Sequence, residues 1–234
     1  MSFREGRIPR VPTYKRSLGG DMKIFIPIKE NSQRVHRKNF RKLRGEPLYK
    51  YSLLKYAGFE VYVDTDSDEI YDNIRNDRRL SNVLVYKRDK LLVGDKVSVC
   101  DLINDFIKRF QIKDTIVQTH ITSPFITGEI LHKAKNYMGE YDSVVSCTTH
   151  HTRLWKKEDY GYCPVNHNPM KLEQTQDLPT MYEENSAFYI FEPEDIVRTG
   201  SRIGKNPYFF NLKYPHNLDI DTEEDWKIVS VVEK

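Results

Sequence analysis

Two stretches of the chain carry side chains whose types and spacing can do chemistry. The first is KIFIPIKENSQRVHRKN, residues 23–39, where an apolar run passes into a loop bearing Lys29, Arg34, Arg37 and Lys38. Reading on adds Arg41, Lys42 and Arg44 against one acid, Glu30, in a chain whose formal net charge is only +3. A cationic loop at the carboxyl end of a buried strand suits an anion, because open α/β sheets bind ligands at that edge. On charge alone it equally reads as a solvated basic loop. The second stretch is NLDIDTEEDW, residues 217–226. In extended backbone Asp219 and Asp221 face the same side, with Cα atoms about 6.5–7 Å apart. Two carboxylates so placed can hold one hard cation; magnesium uses one or two and takes its other ligands from water and phosphates. The competing reading makes Asp221 a helix cap and Asp219 a turn residue. Together the two stretches supply what a triphosphate needs, cations on one side and a carboxylate-held metal on the other.

The elements that must position these groups alternate. Residues 23–28 read as a strand, 47–56 as a helix with Pro47 at its first turn, and 60–64 as a strand. Asp66 or Ser67 can cap a helix running to about Arg75. A strand at 82–86 follows, then 98–110, where Val99, Leu102, Ile103, Phe106, Ile107 and Phe110 keep helical spacing. Strand 114–118, helix 128–137 and strand 142–147 continue the rhythm, which predicts βαβ units and an α/β fold with a mostly parallel sheet. Residues 150–182 break it, with Pro164, Pro169 and Pro179 and little periodicity. So long an irregular stretch marks a functional loop or an interface arm. Strand 185–191, a short helix 192–197, strand 208–212 and a closing helix 222–232 complete the chain.

Composition removes several function classes. Hydrophobic content is 38% and mean hydropathy −0.66, and no apolar run approaches the roughly 18 residues that span a bilayer. Residues 1–21, with Arg4, Arg7, Arg10, Lys15 and Arg16 among Pro9 and Pro12 and ending in Gly19-Gly20, form a basic N-terminal arm without an apolar signal core. The principal domain is expected over 22–234. Cys100, Cys147 and Cys163 are odd in number and widely spaced, which fits reduced thiols and a cytoplasmic protein. The net charge is too mild to imply nucleic acid. His150 and His151 are adjacent in an extended segment and point to opposite faces, a poor arrangement for one metal.

The ordered motifs resemble one family. Residues 26–39, I-P-I-K-E-N-S-Q-R-V-H-R-K-N, resemble the first motif of the acylneuraminate (CMP-sialic acid synthetase-like) cytidylyltransferases. Residues 43–48 resemble its L-x-G-x-P-L, Val63-Asp64-Thr65-Asp66 its V-S-T-D, and Thr122-Ser123-Pro124-Phe125 its T-S-P-L. Ser143-Val144-Val145-Ser146, Asp177-Leu178-Pro179, residues 185–190 (NSAFYI) and residues 219–223 (DIDTE) follow in the same order. The resemblance implies a three-layer, Rossmann-like nucleotidyltransferase (GT-A-like) fold. It also implies a homodimer with a protruding dimerisation arm at about 150–182. The implied reaction moves CMP from CTP to the anomeric hydroxyl of a nonulosonic acid or related 2-keto sugar acid and releases pyrophosphate. By the same resemblance, Lys38 and Asp221 are catalytic, and Asp219 with Asp221 holds Mg2+. CTP would be met by Lys29, Asn31, Ser32, Arg34, Lys38, Asn39, Lys87, His120 and Ser123. The acceptor sugar would be met by Lys156, Gln176 and Tyr189.

The chain departs from the family pattern at several points. Lys29 stands for an Arg, which keeps the charge but loses the bidentate fork. Ile126 and Thr175 also stand where the family has Arg, and His120 stands for a Gln, with Gln118 close by. The third-strand arginine is matched by Lys87 or Arg88. These changes fall on the sugar and ribose side, and they favour an altered acceptor. They also leave two alternatives: nucleotidyl transfer to a different acceptor, or a catalytically inactive paralogue acting as a binding module. Sugar 1-phosphate nucleotidyltransferases resemble G-x-G-T-R-L, which residues 30–34 (ENSQR) do not.

Overall fold

Ile24, Ile26 and Ile28 pack into one apolar cluster while Phe25, between them, packs into another. A strand with both faces covered belongs to the interior of a parallel sheet. In the computed structural model, which describes residues 22–32, 34–94 and 96–232, this strand is β1 (Met22–Ile28). The expected basic arm at 1–21 lies outside the described residues. After β1 come the ribbon β2 (Lys42–Leu43) and β3 (Glu46–Pro47), α1 (Leu48–Leu54), β4 (Glu60–Thr65), α2 (Asp68–Asn76) and β5 (Val83–Lys87). Then come α3 (Val99–Phe110), β6 (Thr115–Thr119), α4 (Gly128–Lys135) and β7 (Ser143–His150). The hairpin β8 (Trp155–Glu158) and β9 (Gly161–Pro164), β10 (Met181–Phe191), α5 (Pro193–Thr199), β11 (Pro207–Asn211) and α6 (Glu223–Val232) complete the order.

Seven strands form one sheet in the order β11-β7-β10-β6-β1-β4-β5. The pairs β1·β4, β4·β5, β1·β6 and β7·β11 are parallel, and β10 alone runs antiparallel to its neighbours β6 and β7. One apolar cluster joins the sheet to α1, α2 and α4; a second joins its other face to α3 and α5. This gives helices on both faces, the three-layer α/β arrangement expected from the rhythm. A third cluster seats α6 through Trp226 and Val229 against Leu43, Leu48, Phe125 and Ile220. Local chemistry explains the helix starts. Ser67 accepts from Ile70 N at 3.4 Å and begins α2. Ser98 and Asp101 form a reciprocal capping box on α3.

Two expectations change. Residues 150–182 are not wholly irregular: they contain β8–β9 and the first residues of β10. β10 begins at Met181 rather than Asn185, and its outer part pairs with the end of β7 as a ribbon closed by His150↔Met181. The register shifts between Glu184 and Tyr189, and Ser186 there takes a left-handed φ of 57°. Among the described residues no helix is long and apolar enough to cross a membrane.

Candidate active site

β1 and β6 lie side by side, but the chain leaves β1 for β4 on one side and returns from β6 toward β7 on the other. Their carboxyl ends therefore open a crevice at the point where strand order reverses. A cleft of about 170 Å3 occupies it, lined by Lys29, Asn31, Ser32, Lys38 and Asn39 from the loop after β1 and by His120, Ile121 and Thr122 after β6. The loop after β1 is shaped by Arg37, which takes a left-handed φ of 47°, a conformation that costs a non-glycine residue roughly 1–2 kcal/mol. That turn starts a short 3-10 segment, Lys38–Phe40, in which Lys38 and Asn39 are buried. Asn39 Nδ2 donates to Lys29 O at 2.5 Å, and Glu30 N donates to Asp66 Oδ1 at 2.7 Å, so both ends of the loop are braced.

The loop is then tied to the acidic segment at the other end of the sequence. Lys38 Nζ donates to Ile220 O at 2.6 Å and lies 4.0 Å from Asp221 Oδ1. Arg34 Nη2 reaches the same Asp221 oxygen at 2.7 Å. From the β6 side, Ser123 Oγ donates to Asp219 Oδ1 at 2.9 Å, and Ile220 N donates to Thr122 O at 2.9 Å. The competing cap reading is resolved here. Thr222 Oγ1 accepts from Asp225 N at 3.2 Å, while Asp225 Oδ2 accepts from Thr222 N at 2.7 Å and Asp221 N at 3.0 Å. Thr222 with Asp225 is the cap of α6, so the carboxylates of Asp219 and Asp221 are not spent on capping; Asp219 meets Ser123 and Asp221 meets Arg34. Arg41 braces the same helix with a bidentate pair to Glu223 at 2.8 and 2.7 Å.

Burial sets the electrostatics. It pushes Lys38 below the ordinary lysine value, although Asp219 and Asp221 oppose the shift. It pushes Asp219 above the ordinary aspartate value against hydrogen bonds from Thr122 and Ser123 and with Asp221 adding repulsion. Asp219, raised chiefly by burial, and Asp221, paired with Arg34, together offer hard carboxylate oxygens. That donor set fits Mg2+ completed by phosphate and water oxygens. Among the described residues no cluster of three or more His, Cys, Asp or Glu side chains could hold a metal, so a cation here would need ligands from the substrate.

Several residues expected at the site lie elsewhere. Ser123 is buried and its hydroxyl donates to Asp219, so here it holds a carboxylate of the acidic segment. Lys87 pairs with Asp68 at the outer end of β5. Its neighbour Arg88 is the residue turned inward, buried in an ion pair with Asp64. Tyr189 is fully buried in the sheet, its hydroxyl bonded to Glu184 and to Ser186, and does not line the cleft. Lys156 pairs along its own strand with Glu158 at 2.6 Å, and Gln176 bonds Gln174 at 2.8 Å. Both partners are local, and nothing in these contacts joins them to the cleft of the same chain. Ile126 packs in the core, so the cation of the family pattern has no counterpart there.

The sequence reading missed Arg202. Its guanidinium lies 3.6 Å from the centre of the Tyr189 ring and donates to Gln118 beside His120. It belongs to an unpatterned loop, and the only signal was the nearness of Gln118 to the expected glutamine position.

A family model described as cytidylyltransferase matches residues 24–229. The chain belongs to the cytidylyltransferase family. Among curated proteins, this cytidylyltransferase is 26% identical over 213 residues to an N-acylneuraminate cytidylyltransferase of Streptococcus agalactiae serotype V, covering 86% of this chain and 51% of that protein. The chain thus spans about half the length of that relative. It is 23% identical to a CMP-N,N'-diacetyllegionaminic acid synthase of Campylobacter jejuni, covering 85% and 88% of the two chains. Among solved structures, CMP:2-keto-3-deoxy-manno-octonic acid synthetase complexed with CTP aligns at a TM-score of 0.58 and 12% identity over 90% of this chain and 97% of that one. That likeness shows the fold, which is the Rossmann-like nucleotidyltransferase fold.

Proposed function

We propose that this cytidylyltransferase transfers CMP from CTP to the anomeric hydroxyl of a nonulosonic acid or related 2-keto sugar acid. The observation that carries the reading is the lock between Lys38 and the Asp219–Asp221 segment at the switch-point cleft, 2.6 Å to Ile220 O and 4.0 Å to Asp221. That contact brings the basic loop and the acidic segment together beside one crevice in a member of this family, which supports the reading. The names of the relatives, an N-acylneuraminate cytidylyltransferase and a CMP-legionaminic acid synthase, support an acidic nonulosonate acceptor. In the transfer, the anomeric oxygen forms a bond to the α-phosphorus as the bond from that phosphorus to the β-phosphate's bridging oxygen breaks. Pyrophosphate leaves with the electron pair, and the hydroxyl proton passes to solvent. Lys38 and Arg34 offer charge to the triphosphate, and burial of Lys38 strengthens that attraction. Asp219 and Asp221 would hold Mg2+, which when bound supplies charge neutralisation and orientation of the phosphate oxygens.

The hairpin segment supports a homodimer. Trp155, Tyr160, Tyr162, Val165, Met170 and Leu172 are all exposed there, more large apolar surface than a solvated loop needs. Lys156 and Gln176, which stay local in one chain, belong in this reading to a shared acceptor site. The three cysteines are free, consistent with a cytoplasmic protein. The test is pyrophosphate release from CTP with sialic, legionaminic, pseudaminic and 3-deoxy-octulosonic acids, with Mg2+ and with a chelator. Release with one acceptor, abolished by chelation, is expected. No release with any acceptor, together with no rise in melting temperature on adding CTP, overturns the reading.

A further inference from the structure

Gln118 is completely buried in β6, and its side-chain amide has a partner on each side. Arg202 Nη1 donates to Gln118 Oε1. Gln118 Nε2 lies 2.8 Å from His120 Nε2 and also reaches Thr119 O at 3.4 Å. An arginine has no acceptor, so the amide atom it meets is the oxygen, and this fixes the amide's orientation. The NH2 then faces the imidazole. An amide NH2 has only donors, so His120 Nε2 accepts, and a neutral ring carries its one proton on Nδ1. Burial first, then the charges of Arg202 and Lys38, push the imidazole down from 6.5 to about 4, which agrees with a neutral ring. Arg202 is itself held in place, stacked on Tyr189, which pairs in register with Gln118.

We infer that Arg202 is a positioning residue that, acting through Gln118, holds His120 as an Nδ1–H donor to a neutral oxygen of a substrate bound in the cleft. His120 lines that cleft. In the proposed transfer the phosphates face Lys38 and Arg34, so the oxygens left for an uncharged donor are hydroxyls and carbonyls of the cytidine or of the sugar acid. A chemical consequence follows. With Nδ1 protonated and Nε2 engaged, His120 cannot take the proton of the attacking hydroxyl. The inference rests on the proposed transfer only for the identity of the oxygen; the proton assignment stands on the geometry of the three side chains.

The test is nitrogen–proton correlation spectroscopy of the full chain labelled with 15N-histidine, with the His120 signals assigned by their loss in His120→Gln. The Nδ1–H tautomer is expected in the wild type. Arg202→Met shifts His120 toward the Nε2–H tautomer and raises one substrate's KM about tenfold, the scale of one lost hydrogen bond; Arg202→Lys, still a donor, restores the tautomer. A raised KM for CTP assigns the oxygen to cytidine, and a raised KM for the acceptor assigns it to the sugar acid. Gln118→Glu keeps a partner for Arg202 but offers His120 only acceptors, so the proton moves to Nε2; this variant carries the test if Arg202→Met does not fold. An Nε2–H tautomer in the wild type overturns the inference, as does an unchanged tautomer in both Arg202→Met and Gln118→Glu. The spectra need no turnover, so failure of the proposed transfer is distinguishable from failure of this assignment.

Discussion

Charged side chains behave differently in the cleft and on the hairpin segment. Around the cleft they pair across the whole chain: Arg34 with Asp221 and Arg41 with Glu223 are separated by 187 and 182 residues. On the hairpin segment they pair at home, Lys156 with Glu158 and Lys171 with Glu173, each two residues apart. The first kind of contact exists only in the folded sheet and defines a geometry. The second forms on a short piece of chain and defines little beyond solubility. The walls of the cleft are thus held by long-range contacts within the chain, while the hairpin leaves Trp155 and Tyr162 exposed, which is why the proposed homodimer is placed there.

The comparison can be broken at four points. The largest effect is expected at Asp221→Asn, which removes a carboxylate from the proposed metal pair; pyrophosphate release falls about a thousandfold, on the scale of losing a preorganised charge-stabilising group, with circular dichroism unchanged. An active variant ends the metal role. Next, Lys38→Met lowers kcat/KM for CTP about a hundredfold, a fraction of the same electrostatic term; a loss confined to the acceptor's KM would move Lys38 out of the phosphate site. A smaller effect is a pH dependence of stability. The folded His120 sits at about 4 against an ordinary 6.5, so between those values the unfolded chain binds more protons. Stability contributed by neutral His120 is thus present above 6.5 and is lost as pH falls toward about 4. The melting temperature declines across that window, and His120→Gln flattens that part of the slope; an identical slope in the variant refutes it. The smallest effect within a single chain is expected for Trp155→Ala with Tyr162→Ala. Exposed positions cost about 0.5 kcal/mol or less, so thermal unfolding barely moves while sedimentation shifts from dimer to monomer. If the wild type sediments as a monomer, the contrast between the two regions loses its meaning.

Much of the cleft is legible in the sequence because residue type constrains it strongly. Lysine at the end of a buried strand and aspartates two apart leave few arrangements, and both stretches meet where expected. What stays hidden turns on parity and on neighbours. Lys87 and Arg88 are adjacent at a strand end and point to opposite faces, and composition does not say which face is buried. Asp221 and Thr222 are both good N-cap residues, each with an acid three positions on, so only the observed bonds to Asp225 decide between them. Tyr189 looks like a ligand in a motif, but β10 lies between β6 and β7, and its side chain is enclosed there. Arg202 has no pattern at all; its role follows from the pairing of Tyr189 with Gln118, a contact that exists only once the strand order is known.

The ribbon formed by the ends of β7 and β10 closes on the partners His150 and Met181. Both ends of the intervening chain are thereby fixed side by side, so the sheet does not register how long that chain is or what it carries. A change of length between those two partners therefore reaches neither the Lys38–Ile220 contact nor the Arg34–Asp221 pair directly, so the two regions can vary separately.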